Sequence, residues 1–593
     1  MTDDWEQDSR YTPYPEEMSQ DVRKLISSFT KKELDIEYQI DQLEELISMS
    51  DPEMLLEKVC YSLIFGGWVS AQPVPDDTVG LPPSLGEYVI GKIIASEEYG
   101  NQEPDFQKIS ELAHSISQAY SFGGMKDIDP NEMSETELSE NSLKHSLQIR
   151  EIGSGRFMFD LQVEDAIKRA YSPHDKYLRD LNGFTAKQSI DFLKFLLLLI
   201  EKSLNDACDK SNFNFEDVII GKNSAELMLE EYQEDGLKKI PNRREVKIDA
   251  ENIEDAYEKL GKYQKNIWLP EEKAVEYLPS EYDVDAFNSF IDRLGFDLYE
   301  NSADFRKIND FNPIRGYPII RANGKLLIPQ MAKARQSLLD TFYYDLINHP
   351  EYGDPDGDTG GEFGNKWGDY IEEWAYDSLV NVYGENNVFL NPEYDSTNSE
   401  EAADLVVLYN DYLMVFECKS KKLVLQSRGG NISRAKEDLD TGIGSATDQA
   451  LEFIQHVKSN QTTNLKTKNK TVLINRDSVK NIIPCVVIGE EYDMISIDEF
   501  NHVLELEETP FVVSVYNLEI ICELLEKLDL VKYIIDRIEL SVNNDIASMD
   551  ELDLLGLFID EGYQFPDVED NHHLQVMDYT NHIAAQLDYK FGP

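Results

Sequence analysis

The chain has 593 residues, 41% hydrophobic and 10% aromatic, which is enough for three or four cored domains and excludes disorder throughout. Its 114 acidic residues outnumber 55 basic ones, giving a net charge of −59 and a pI near 4.4. Such a surface repels nucleic acid and anionic membranes as a whole, and it reads as an acidic coat on folded domains, as a salt-loving host would need.

The N-terminal stretch "MTDDWEQDSRYTPYPEE" is acidic, lacks an apolar centre and does not read as a secretory signal. Residues 19–49 carry helical periodicity. "DPEMLLEKVCYSLIFGG" predicts a helix capped by Asp51 and stopped at its glycines, and another helix is predicted over 87–96. Residues 123–142 are polar and read as a linker. Residues 143–305 read as mostly helical, and "FLKFLLLLIEK" within them is interrupted by Lys194 and predicts a buried helix, not a membrane span.

Near Pro313 the pattern changes. "YPIIRANGKLLIPQ" places two apolar runs around Asn323-Gly324, a type I′ hairpin signal. A helix is predicted over 331–348. In the loop that follows, Asp354, Asp356 and Asp358 resemble a calcium loop, but Thr359 and Asn365 stand where glycine and glutamate are needed, so it reads as a solvated acidic loop. Then come a helix (366–383), strands (387–394, 404–409, 412–420), a helix (445–458) and strands at 471–475 and "IIPCVVIG". Helices are predicted again from 517 to 538, with a last amphipathic helix in "MDELDLLGLFIDEG"; the final residues, with His572-His573, read as a polar tail. The five cysteines are scattered, without a CxxC pair, which argues for a reducing cytoplasm and against structural zinc.

The chemistry concentrates in "DLVVLYNDYLMVFECKSKK". If Asn410-Asp411 is a two-residue turn, Tyr409 faces Tyr412, Val406 faces Val415 and Asp404 faces Glu417. Side chains alternate along a strand, so Lys419 shares that face. Two neighbouring carboxylates at the end of an apolar sheet repel, and a divalent cation relieves the conflict; Mg²⁺ or Mn²⁺ suits oxygen ligands on rigid strands. In the preceding helix, Ile371, Trp374, Ala375, Leu379 and Val382 form one apolar arc with Glu372 at its margin and Glu373 pointing away. In the later helix, Ala446, Ala450, Phe453, Ile454 and Val457 form the buried face with Gln449 at its edge.

This order resembles the PD-(D/E)xK nuclease superfamily, and within it the Mrr-like restriction endonucleases and nuclease-related domains. "GDYIE" is similar to the group's helix motif ending in Glu372, "ADLVV" carries its Asp as Asp404, and "FECK" carries its Glu-x-Lys as Glu417 and Lys419. "DQALEF" is similar to its Gln-x-x-x-Tyr motif, with Gln449 matching and Phe453 in place of the tyrosine; Ala403 stands where Pro is common. The resemblance covers residues 312–500. It implies an αβββαβ core and Mg²⁺-dependent phosphodiester hydrolysis. Asp404, Glu417, the Cys418 carbonyl and Glu372 would hold the metal, and Lys419 would position or deprotonate the attacking water.

The expected organisation is thus α+β and multidomain: a helical domain (1–122), a mostly helical region (123–311), the nuclease domain (312–500), a helical extension (501–565) and a tail (566–593). Residues 419–480 hold twelve Lys or Arg against six acids, a local reversal expected beside a polyanion site. Lys421, Lys422, Arg428, Arg434 and Lys436 are its candidate nucleic-acid contacts. The expected substrate is DNA, in restriction, defence against phage or DNA processing, with RNA as an open alternative. The class-level rival is a catalytically silent binding module, and the helical N-terminal half is the candidate surface for a protein partner or a second copy.

Overall fold

A computed structural model describes residues 11–13, 36–69, 81–123, 143–144, 147, 159–210, 267–300, 303–353, 361–395, 400–468, 470–490, 492, 500–504, 506–543, 546–548, 550–566, 574–576, 583 and 587. Residues 124–142 of the expected linker, Asp354, Asp356 and Asp358 of the acidic loop, and His572-His573 lie outside the described residues.

The described residues form a mixture of helix and sheet. Helices Ile36–Met49, Pro52–Val69, Pro83–Ala95 and Phe106–Gly123 follow the apolar spacing at the N-terminal end. Asp51 caps the second, its Oδ1 accepting from the Met54 N–H at 3.0 Å. That helix does not stop at Gly66-Gly67 as expected but runs through them to Val69, because mid-helix glycine costs only about 1 kcal/mol each.

Asn323 and Gly324 take positive φ, 50° and 70°, and turn the hairpin of Ile319–Ala322 and Lys325–Leu327 as the dipeptide predicts. The hairpin joins Leu269–Pro270 and Gly295–Asp297 in a four-stranded sheet. Ile320, Ala322 and Leu327 pack with Leu43, Val89 and Ile109 of the N-terminal helices. The boundary drawn at residue 312 therefore falls where this sheet is packed on the N-terminal helices, and the region before it contributes two strands.

The helix Ala186–Lys210 buries Phe192, Leu193, Leu196 and Ile200 against Phe287 and Phe290, as its apolar run predicts. No helix among the described residues is long and apolar enough to cross a membrane. Cys60, Cys418, Cys485 and Cys522 are free and buried.

The sheet that carries the candidate site is built from helix α1 (Gly361–Tyr383), β1 (Val388–Leu390), β2 (Glu393–Tyr394), β3 (Leu405–Tyr409), β4 (Tyr412–Lys419), helix α2 (Ser445–Ser459), β5 (Thr462–Lys466), β6 (Thr471–Asn475), β7 (Asn481–Ile488), β8 (Phe511–Ser514) and helix α3 (Val515–Leu524). Its strand order is β8-β7-β4-β3-β1, with β4 central, antiparallel to β3 and parallel to β7. One face carries Leu405, Val407, Met414, Phe416 and Cys485, packed with Ile371, Trp374 and Leu379 of α1. The other carries Val406, Leu413 and Val415, packed with Ala450, Phe453 and Ile454 of α2. Near-continuous apolar runs are what a strand buried on both faces requires.

Four expectations change here. The single strand over 387–394 is two short strands in different sheets, with Asn391 at φ 43° between them. The strand over 471–475 is not in the main sheet; it pairs with β5, which the sequence reading missed, in a three-stranded sheet β6-β5-β2. Residues 501–565 are not only helical, since β8 is the fifth strand of the main sheet, parallel to β7. The last helix, Glu551–Asp560, is buried from Glu551 through Phe558 instead of amphipathic. Its buried Glu551 is held by Arg537 at 3.0 Å and by the Tyr533 hydroxyl at 2.6 Å, which satisfies the charge inside the core.

Candidate active site

The hairpin has the predicted register. Asn410 supplies the left-handed turn residue (φ 55°), Tyr409 pairs with Tyr412, and Leu405 pairs with Phe416. One step outward, Asp404 comes opposite Glu417. Strand β4 outlasts β3 here, leaving the Cys418 N–H without a ladder partner. The Asp404 side chain takes its place, Oδ2 accepting that N–H at 2.7 Å. A residue's N–H and C=O point to the same side of a strand, so the Cys418 carbonyl faces the Asp404 side as well. The Cys418 thiol points to the α1 face, and burial pushes its pKa far up, so it is a core group and not a nucleophile.

Glu417 is only 4% exposed, and Lys419 reaches past it. The Lys419 ammonium lies 3.8 Å from Glu417 Oε2 and donates to Gln449 Oε1 at 2.6 Å. Gln449 comes from α2, whose apolar arc is buried as expected. From the opposite face of the sheet, α1 brings Glu372, with Glu373 in solvent. Gly368, the glycine of the helix motif, faces open space and is not required by close packing. The five residues Asp404, Glu417, Lys419, Glu372 and Gln449 thus come from two strands and two helices to one end of the central strand.

Two further residues belong to this end. Asn391 donates its Nδ2–H to Glu372 Oε2 at 3.0 Å, while its backbone N–H donates to the Asp404 carbonyl at 2.7 Å, so one residue fixes both acids. Its sequence signal is Asn-Pro after a short apolar run, a chain reversal. Glu401 sits on the segment entering β3 and bridges Glu393 of β2. Three residues before Asp404, it was hidden in an acidic run that offered no contrast.

The cluster is electrostatically strained. Burial, followed by the charge of Asp404, raises Glu417 well above the usual carboxylate range, and the two side chains are in hydrogen-bond contact. The same two causes push Glu372 up to about 7 and raise Glu401. Lys419 and the Asn391 amide oppose these shifts without cancelling them. Among the described residues no three acidic, histidine or cysteine side chains stand closed at ligand spacing. Asp404 Oδ2 is engaged by the Cys418 N–H and Glu372 Oε2 by the Asn391 amide. The donor set of adjacent carboxylates and a strand-end carbonyl fits a hard divalent cation such as Mg²⁺ or Mn²⁺.

Replacing Asn391 by glycine keeps the positive φ and the backbone bond but frees Glu372. Loss of the Asn391 amide, which opposes the rise of the Glu372 pKa, is expected to raise that pKa further and to steepen the fall of stability with rising pH, read by thermal melts across about pH 5 to 8.

The basic residues after the hairpin are arranged differently from the expectation. Residues 425–428 and 432–439, which carry three of them, are helical. Lys421 pairs with buried Asp438 at 3.1 Å, Arg434 with Glu437 at 2.7 Å and Asp438 at 3.3 Å, and Arg428 with buried Glu490. Lys422 pairs with Asp340 at 3.0 Å and lies over the Tyr343 ring, 4.2 Å from its centroid. Lys436 stands at the rim of a surface hollow with Glu437, Asp440 and Asp448. Four of the five candidate contacts therefore pair with acids of this chain and anchor its own helices. Residues Asp440–Gly444 form a wide π-type turn running into α2.

Compared with protein families, curated proteins and solved structures, the chain matches none.

Proposed function

We propose that this protein is a divalent-metal-dependent nuclease that hydrolyses phosphodiester bonds in DNA, built on the PD-(D/E)xK plan. The observation that carries the reading is the convergence of Asp404, Glu417 and Lys419 at the exposed end of the central strand. Glu372 and Gln449 support it from helices on opposite faces. An active site outside the carboxyl end of a central strand is the usual placement in α/β sheets. The order helix, three strands, helix, strand supports the same plan.

Asp404, Glu417, the Cys418 carbonyl and Glu372 would hold Mg²⁺ or Mn²⁺. The cation would supply charge neutralisation at the phosphate and acidify a water. Lys419, braced by Gln449, orients that water and stabilises charge gathering on the phosphate oxygens. The water gives up a proton to solvent as its oxygen forms the new bond to phosphorus, the ester P–O bond breaks, and the leaving oxygen takes up a proton from solvent.

The test is cleavage of supercoiled plasmid, linear duplex and single-stranded RNA with Mg²⁺, Mn²⁺ or EDTA. Nicking or linearisation that requires the metal is expected. No metal-dependent cleavage of any of the three, or preference for RNA, would overturn the DNA nuclease reading.

A further inference from the structure

Two stretches of this acidic chain run longest without an Asp or Glu, 311–339 and 453–476. In the first, the charges are matched by distant acids: Arg315 and Lys333 by Glu87, Arg321 by Glu271 and Asp292, Lys325 by Glu53. The second has ion pairs at its two ends, Lys458 with Glu508 at 3.5 Å and Arg476 with Asp477 at 3.8 Å. It contains the β5–β6 hairpin, and among the described residues neither Lys466 nor Lys468 has an acidic partner, although both are exposed. Glu393, opposite Lys466 across the ladder, makes no ion pair with it.

The hairpin's inner face is buried through Thr463, Leu465 and Ile474. Its outer face presents Thr462, Asn464, Lys466, Thr471, Leu473 and Asn475, all uncharged or basic, with Leu473 58% exposed. The hairpin is also next to the site. Lys466 lies opposite Glu393 of β2 in the strand ladder, and Glu393 makes a backbone bridge to Glu401, three residues before Asp404. On a surface that otherwise repels polyanions, a basic ribbon with no acidic residue of its own lies one strand from the carboxylates. A two-stranded ribbon also fits the major groove of a duplex, about 12 Å wide.

We propose that the outer face of the β5–β6 hairpin holds the nucleic-acid duplex beside the site, with Lys466 and Lys468 contacting backbone phosphates. The proposal takes its ligand from the nuclease reading but concerns binding, not cleavage. Fluorescence anisotropy of a labelled DNA duplex with the full chain in EDTA, over a range of salt, tests it. Lys466→Glu/Lys468→Glu is expected to weaken binding at least tenfold. The milder Lys466→Gln/Lys468→Gln variant should reduce the slope of log affinity on log salt by about two, since each phosphate contact contributes roughly 0.9. Lys108→Glu, an exposed charge change on an N-terminal helix, serves as the control. Wild-type affinity and slope in both hairpin variants, a loss no larger than the control's, or no duplex binding by wild type would overturn the proposal. A wild type that binds through the hairpin but cleaves nothing sinks the nuclease reading alone. Cleavage with binding indifferent to the hairpin sinks this inference alone.

Discussion

Lys419→Ala is expected to lower the metal-dependent cleavage rate by about 10²–10⁴, the range found when a charged or proton-transferring group is removed from a transition state. The ammonium stands 3.8 Å from Glu417 and is braced by Gln449 at 2.6 Å, so its position is set by the fold before substrate arrives. Because Lys419 is partly exposed, the truncation should change stability by no more than about 1 kcal/mol. The loss should therefore appear in single-turnover rate and not in the thermal midpoint or in duplex affinity. Lys419→Arg should recover little, since the planar guanidinium does not reproduce the ammonium's contact with Gln449. Equal cleavage by wild type and Lys419→Ala would end the nuclease reading. Gln449→Ala should fall between the two, because it loosens Lys419 without removing the charge.

Asp404→Asn is expected to have opposite effects on stability and activity. The Asp404 charge is the second cause, after burial, of the raised pKa of Glu417, Glu372 and Glu401. Removing it lets Glu417 ionise at lower cost, while the amide oxygen still accepts the Cys418 N–H. Metal-free Asp404→Asn should be more stable than wild type at pH 8 by about 1 kcal/mol or more, since each unit of pKa shift corresponds to about 1.4 kcal/mol. Cleavage should be lost with the ligand.

The pH dependence gives an independent check. A carboxyl whose folded pKa is raised keeps its proton in the folded state over a range where the unfolded chain has lost it. Stability then falls as pH rises through that range. For Glu372 the range runs from the ordinary carboxylate value to about 7, and for Glu417 it extends higher. Metal-free wild type should thus lose stability between about pH 5 and 8 more steeply than Asp404→Asn. Saturating Mg²⁺ should flatten the wild-type curve by taking the place of the protons. Thermal melts at pH 6 and 8, with and without Mg²⁺, measure both terms. A wild type that is indifferent to Mg²⁺ at pH 8 would remove the metal from the proposal.

The sequence by itself determined the features that depend on neighbours along the chain. The Asn410-Asp411 turn and the two-residue period of the strands fix the register, and the register places Asp404 opposite Glu417 with Lys419 alongside. Helical periodicity likewise turned Glu372 and Gln449 to the edges of their apolar arcs. Asn391 and Glu401 escaped notice because what they touch is set by the chain's return, not by spacing. The allegiance of whole segments was decided only in three dimensions. The Asn323-Gly324 hairpin was legible as a hairpin, but Ile320, Ala322 and Leu327 find their burial on the N-terminal helices. The strand β8 was unread because its four residues are too few to show a period. Charge was the least legible of all. The excess of Lys and Arg after β4 looked like a free basic surface, yet four of its five candidate contacts pair with Asp438 of the same segment and with Asp340 and Glu490 from outside it. Among the described residues Lys466 and Lys468 are left without an acidic partner for the same reason: an ion pair between distant residues depends on which segments fold together, and no local pattern encodes that.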